Sequence, residues 1–376
     1  MKKVILGLIL LSFAAACDEN SESTRSSSNV GLEWGSKTWP SPGPSKLPYV
    51  SIGYVGNGST VPQTGAALDV TLLPWSKLTH VIEAYAVPTD TAGGVQIVSP
   101  GSRTNLISTA HSNATRIYLS VGGANASLGN FSASAAPAVV DTFVQNIMTL
   151  VTTNQYDGVD IDWEFPASSD KSNFTALLTK LSQALRATNG YDGAPRGLTF
   201  VISPGHAYCG VDWAAVASVV DYGILSGYEF RVGYYNGPLF NSWNLYYDCN
   251  EDVRQASIAY SAQTLQSSGF PLNQLVLGMP LFSAPSGLPL MTVLSGGTQG
   301  RYYTSAAEAL YTYADRWEIV DTAQSFCDKM SWAESNGLAG ISLWELSQAY
   351  PATDPLVSSL WGVVGGSSCT PSHRAF

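Results

Sequence analysis

The sequence predicts an α/β chain folded as a closed (β/α)8, or TIM, barrel, and three observations carry the prediction. Eight apolar runs of strand length recur between positions 49 and 346, and segments of helical length lie between them. That alternation is the mark of parallel strands joined by helical crossovers. No Gly-rich phosphate loop follows the first run, which argues against an open doubly wound sheet. The polar residues of the fourth run gather toward its C-terminal end, where a parallel barrel places its chemistry.

The runs fall at 49–54, 78–87, 116–121, 158–165, 198–204, 222–230, 275–281 and 340–346. Helices are expected at 136–152 and 172–186, and again at 253–267, where Asp252 is placed to cap the start. The barrel therefore occupies residues 47–364, with a tail at 365–376. Residues 17–46 are rich in Ser and Pro and read as a disordered tether.

The fourth run is the most informative. Val159, Ile161, Trp163 and Phe165 alternate with Asp160, Asp162 and Glu164. A period of two separates these residues onto the two faces of a strand. One face is apolar and the other holds three carboxylates, spaced about 6–7 Å apart. A solvated edge strand or a calcium site would have polar flanks, whereas these are bulky and apolar. Like charges on a buried face are relieved by shared protons, the condition for acid/base work. Glu164 stands outermost, where it meets substrate, and burial beside two further acids favours its protonated form. Asp160 stands deepest, with another carboxyl as its partner. Trp163 faces the helices by parity and is structural.

Only 12% of the 376 residues are charged, with a net charge of −10, while 11% are aromatic. The negative balance excludes a nucleic-acid partner, which needs a basic footprint. Aromatic side chains on a sparsely charged chain suit neutral ligands with apolar faces, such as sugar rings, or else a large core. Met1-Lys2-Lys3 and the apolar run 4–16 form a secretory signal, too short to span a bilayer. Two readings of the next residue compete: cleavage after Ala16 yields a secreted protein, whereas a lipid on Cys17 yields a tethered lipoprotein. The polar stretch 18–28 favours the lipoprotein, although Ala14 is a poor fit to the usual aliphatic lipobox position.

Cys209, Cys249, Cys327 and Cys369 remain, an even number that suits two disulfides in an exported chain. Cys209 and Cys249 follow the C-terminal ends of neighbouring strands. Cys327 lies in the helix before the eighth strand, and Cys369 lies in the tail. The expected pairs are thus Cys209–Cys249 and Cys327–Cys369. No CxxC pair exists, and neither a metal nor a cofactor is expected; the chain is expected to be a monomer.

Asp157-Gly158-Val159-Asp160-Ile161-Asp162-Trp163-Glu164 resembles, at every position, the D-G-x-D-x-D-W-E motif of glycoside hydrolase family 18, the chitinase family. The resemblance extends over residues 47–364. Gly53-Tyr54 is similar to the end of the family's first strand and Leu78-Thr79-His80-Val81 to its second. Ser120-Val121-Gly122-Gly123 is similar to the S-x-G-G of the third, and Leu277-Gly278-Met279-Pro280 to the G-x-P of the seventh. Gly340-Ile341-Ser342-Leu343-Trp344-Glu345 is similar to the eighth, whose Trp floors the sugar site. The segment between Leu281 and Gly340 must also supply a barrel helix, so a single catalytic domain without a large α+β insertion, and a shallow groove, are expected.

The resemblance implies a retaining hydrolase of β-1,4 bonds in chitin or N-acetylglucosamine oligomers. Family 18 departs from the two-carboxylate scheme by using the substrate's own acetamido group. Glu164 would protonate the glycosidic oxygen, and the acetamido carbonyl would attack its own anomeric carbon to give an oxazolinium ion. Asp162 would bind the amide N–H and Asp160 would share its proton. Tyr228 would donate to the acetamido carbonyl, with Trp344 stacked under the ring. Tyr54, Ser120, Gly122, Gly123 and Glu229 complete the expected substrate site; taken alone, the tyrosines and Trp344 would read as ordinary core residues and the Gly pair as a close-packing device.

Two departures stand out. The family's strand-six M-x-Y-D is here Ser226-Gly227-Tyr228-Glu229, with Glu in place of Asp. Glu83 replaces a usual aromatic and shares the parity of Tyr85, so both are expected to point inward. Alternatives to a chitinase are an endo-β-N-acetylglucosaminidase acting on N-glycans and a chitin-binding lectin on the same fold. Trp163 favours the chitinase, since glycan-cleaving members often lack it, and the intact Glu164 argues against the lectin.

Overall fold

The computed structural model describes residues 47–372, apart from 57–58, 99–102, 125, 204–209, 231–234, 241–245, 249–250 and 254–256. The expected signal, the tether, Cys17 and the Cys209–Cys249 pair lie outside the described residues.

Eight parallel strands close on themselves: β1 (Val50–Gly56), β2 (His80–Pro88), β3 (Arg116–Gly122), β4 (Gly158–Asp162), β5 (Gly197–Ile202), β6 (Tyr222–Ser226), β7 (Leu275–Pro280) and β8 (Gly340–Trp344). Each pairs with its sequence neighbour, and β1 joins both β2 and β8, completing the ring. Period two then sorts the side chains. Val159, Ile161 and Trp163 join the large core between strands and helices, whereas Ile52, Tyr54, Ile82, Tyr118 and Ile224 fill the barrel. Trp163 stacks on Phe131 with ring centres 4.6 Å apart, an outer-core contact that anchors β4 to the helical layer.

The expected helices form at Val140–Asn154 and Lys171–Arg186. The third begins later than the sequence suggests, at Ile258, because Ser257 takes the cap and accepts the Tyr260 N–H; Asp252 belongs instead to a strand, Glu251–Val253, paired with Tyr246–Asp248. After β7 the chain makes a small excursion before its barrel helix, Ala323–Ser335. It comprises the helix Leu290–Gly296 and three antiparallel strands, Thr298–Tyr303, Glu308–Tyr313 and Arg316–Val320. Cys327 of the barrel helix bonds Cys369 of the tail, the expected pairing. Beside it, Asp328 accepts hydrogen bonds from Tyr302 Oη and the Ser372 backbone, so the tail is held against this excursion.

Candidate active site

The C-terminal mouth of the barrel opens into a cavity of about 230 Å³ lined by Tyr54, Tyr85, Asp162, Glu164, Tyr228 and Trp344 among others. Asp160 lies below it, fully buried. Register explains its surroundings: Asp160 stands beside Ser120 on β3 and Thr199 on β5. Ser120 Oγ donates to Asp160 Oδ2 at 2.9 Å, Thr199 Oγ1 to Oδ1 at 2.7 Å, and Tyr54 Oη to Oδ2 at 3.1 Å. Burial pushes the Asp160 carboxyl up to about 6, and these three donors oppose the rise.

Asp162, two residues closer to the mouth, is also buried. Its carboxyl is held well above the usual range, first by burial and then by the charges of Glu164 and Asp160, while a hydrogen bond from Tyr85 counteracts this. Its Oδ1 has no hydrogen-bond partner. Buried acceptors are normally satisfied, so this oxygen at the cavity wall is open to a donor from a bound ligand or a water. Glu164 follows, half-buried at the cavity wall beyond the last hydrogen-bonded residue of β4.

Gly122 and Gly123 lie outside the cavity lining and work through the backbone. Gly122 adopts φ +130°, and a Cβ there would stand 1.9 Å from the Asp162 carbonyl oxygen. That same oxygen accepts the Gly123 N–H at 2.8 Å, and a Cβ on Gly123 would meet the Tyr85 ring at 2.7 Å. The pair thus lets β3 close against the Asp162 backbone and Tyr85. Ser120 likewise reaches Asp160 and not the cavity.

Trp344, at the end of β8, forms the aromatic floor. Tyr85 stacks on it at 5.9 Å and 28°, and Tyr54 packs at 5.3 Å and 60°. Tyr228 and Glu229 also line the cavity. Burial, foremost, pushes the Tyr228 hydroxyl far above its ordinary range, so it remains a proton donor. Glu229 is exposed at φ +56°.

Glu83 departs from expectation. It is buried outside the cavity, where its Oε2 accepts the Tyr156 hydroxyl at 2.6 Å. The β2–β3 register shifts between Glu83 and Ala86, so the parity shared by Glu83 and Tyr85 is broken; Tyr85 turns inward while Glu83 keeps the outward side of Val81. The sequence reading left Tyr85, Thr199, Phe165, Val201, Ser203 and Ser226 out of the candidate site. Tyr85 points inward as expected, whereas for Thr199 the deciding signal, cross-strand register, exists only once the strands are paired.

A family model described as Glycosyl hydrolases family 18 matches residues 50–349. The chain belongs to this family. It is 25% identical over 347 residues to a probable endochitinase of Caenorhabditis elegans, covering 77% of this chain and 55% of that protein. With chitinase A1 of Niallia circulans it shares 26% over 281 residues, covering 62% of this chain and 40% of that one. The chain thus spans about half the length of these curated relatives. A Group IV chitinase of Ostrinia furnacalis superposes with a TM-score of 0.70 at 19% identity, covering 85% of this chain and 100% of that one, and so shares the fold. The family 18 match contains the carboxylate strand, the aromatic floor and the Tyr228 wall.

Proposed function

We propose that the protein is a retaining glycoside hydrolase that cleaves β-1,4 bonds between N-acetylglucosamine units, with the substrate's acetamido group as nucleophile. The observation that carries this reading is the buried Asp162 Oδ1, unpartnered at the cavity wall beside Glu164. A buried acceptor next to a half-buried acid fits a sugar that carries both an amide N–H and a leaving glycosidic oxygen. The cavity of about 230 Å³ is smaller than most drug-sized sites and suits one enclosed ring, with further units outside.

Glu164 donates its proton to the glycosidic oxygen as the bond from that oxygen to the anomeric carbon breaks. The acetamido carbonyl oxygen bonds the same carbon from the opposite face, giving the oxazolinium ion. Asp162 accepts the amide N–H and balances the positive charge, while Asp160 holds its proton in exchange with Asp162. Tyr228 donates to the carbonyl oxygen and keeps it aimed. Water then attacks the anomeric carbon and displaces the acetamido oxygen, its proton passes to Glu164, and two inversions give retention. With Glu83 outside the cavity, one of the two departures from the family motifs no longer bears on the sugar site. Digestion of chitohexaose, read by mass spectrometry and by early NMR of the product anomer, tests this. Shorter oligomers released as the β-anomer are expected; the α-anomer as first product would exclude the mechanism, and intact hexamer would exclude the substrate.

We also propose that the chain is exported and tethered through a lipid on Cys17. The Cys327–Cys369 bond supports an oxidising compartment, where such bonds persist. Labelling with a palmitate analogue tests the tether: label lost in Cys17→Ser is expected, and a soluble, unlabelled wild type would refute it.

A further inference from the structure

The Glu229 backbone presents a physical problem. A β-unbranched acid at φ +56° sits in the left-handed region that Gly, Asn and Asp tolerate better than Glu. Asp, the residue of the family motif, suits this position; Glu needs outside support. Asn236 supplies it. Its Oδ1 accepts the Glu229 N–H at 3.0 Å, its carbonyl accepts the Phe230 N–H at 3.1 Å, and its Nδ2 donates to the Phe282 carbonyl at 3.2 Å. Gly237 presses on the other side, so close that a Cβ there would lie 1.6 Å from the Gly227 carbonyl oxygen. Asn236 and Gly237 thus clasp Gly227–Phe230, the segment that carries Tyr228 and Glu229.

The clasp is held in turn from the excursion after β7. Glu308 is fully buried, and its Oε1 accepts both the Asn236 N–H at 3.1 Å and the Gly237 N–H at 2.7 Å. Lys329, also fully buried, lies 3.9 Å from that oxygen and donates to both oxygens of Asp321 at 2.8 and 2.7 Å. A buried carboxyl beside an ion pair is costly to keep where apolar packing would serve. Its two directed bonds go to the clasp and not to its own sheet.

We infer that Glu308 is a positioning residue for the reaction: through Asn236 and Gly237 it fixes the segment that aims Tyr228 and Glu229 into the sugar site. The excursion is then part of the active-site machinery and not an ornament of the barrel. This inference deepens the proposed hydrolysis and rests on it for its kinetic arm alone.

Burial pushes the Glu308 carboxyl up, with Lys329 opposing the rise and Asp321 adding to it, and a carboxamide oxygen can accept the same two N–H bonds. Glu308→Gln is therefore expected to keep kcat within about twofold, whereas Glu308→Ala lowers it about 10- to 100-fold, the scale of misplacement by a fraction of an ångström or more. The loss should fall on kcat more than on KM. In a Tyr228→Phe background the same Ala substitution should cost less than about threefold, because the two act as one unit. Losses that multiply fully would overturn the inference. Amide exchange of the folded proteins gives a readout free of activity. Faster exchange at Glu229, Asn236 and Gly237 in Glu308→Ala is expected, and unchanged exchange would overturn the inference. Should Glu308→Ala fail to fold, Asn236→Ala removes the Glu229 bond and takes the same cycle and exchange tests. A wild type that cleaves no N-acetylglucosamine oligomer refutes the proposed hydrolysis, and the exchange measurement then decides this inference by itself.

Discussion

Glu164→Gln is expected to lower kcat on chitohexaose by roughly 10²–10⁴-fold, the range that a general acid contributes. The carboxamide keeps the shape and polarity of the half-buried side chain at the cavity wall but has no proton to give the glycosidic oxygen. Substrate binding should survive, since the Trp344 floor, Tyr85 and Tyr228 are untouched; quenching of tryptophan fluorescence by chitohexaose reports it. The loss should also depend on the leaving group. An aryl glycoside of N-acetylglucosamine departs with little protonation, so its first, oxazolinium-forming step should suffer least. A loss equal on both substrates would show that Glu164 does not act as the acid, and retained hydrolysis of chitohexaose would remove it from the mechanism.

The barrel and the carboxylate ladder were legible because both rest on local periodicity. Asp160, Asp162 and Glu164 announce themselves through apolar neighbours at odd positions, and the structure keeps that alternation, with Val159, Ile161 and Trp163 in the outer core. What was not legible depends on pairing. Glu83 was assigned the wrong face because the irregularity between Glu83 and Ala86 leaves no trace in composition. Thr199 reaches Asp160 only because β5 pairs with β4 in that register. The excursion after β7 hid for a different reason. Its hairpin turns at Ala314 and Asp315, with φ +46° and +59°, positions where Gly or Asn would have signalled a two-residue turn. With that turn unread, 281–340 looked like connection plus helix, and Glu308 had no reason to be singled out.

Asp162→Asn is the second substitution of large expected effect, and it separates function from stability. Activity should fall by about 10²–10³-fold, the scale seen when one group stabilising transition-state charge is removed. Asn can still offer a carbonyl oxygen to the amide N–H, but it carries no charge against the oxazolinium ion. Stability should move the other way as pH rises. Asp162 is buried, and burial followed by the charges of Glu164 and Asp160 holds its carboxyl well above the ordinary carboxylate value. Above that ordinary value the folded protein therefore binds the proton that the unfolded chain has released. Its contribution is fully present below about pH 4 and is lost as pH rises through the folded value. Asn has no such proton to lose. The Tm of Asp162→Asn minus that of the wild type should thus become more positive between pH 4 and pH 7, measured by calorimetry at fixed ionic strength. A difference that stays constant across this range would mean that folding leaves the affinity of Asp162 for its proton unchanged. An inactive variant that gains stability at neutral pH would show that the ladder is kept for chemistry at the expense of the fold, the exchange expected of an active site that holds an acid out of water.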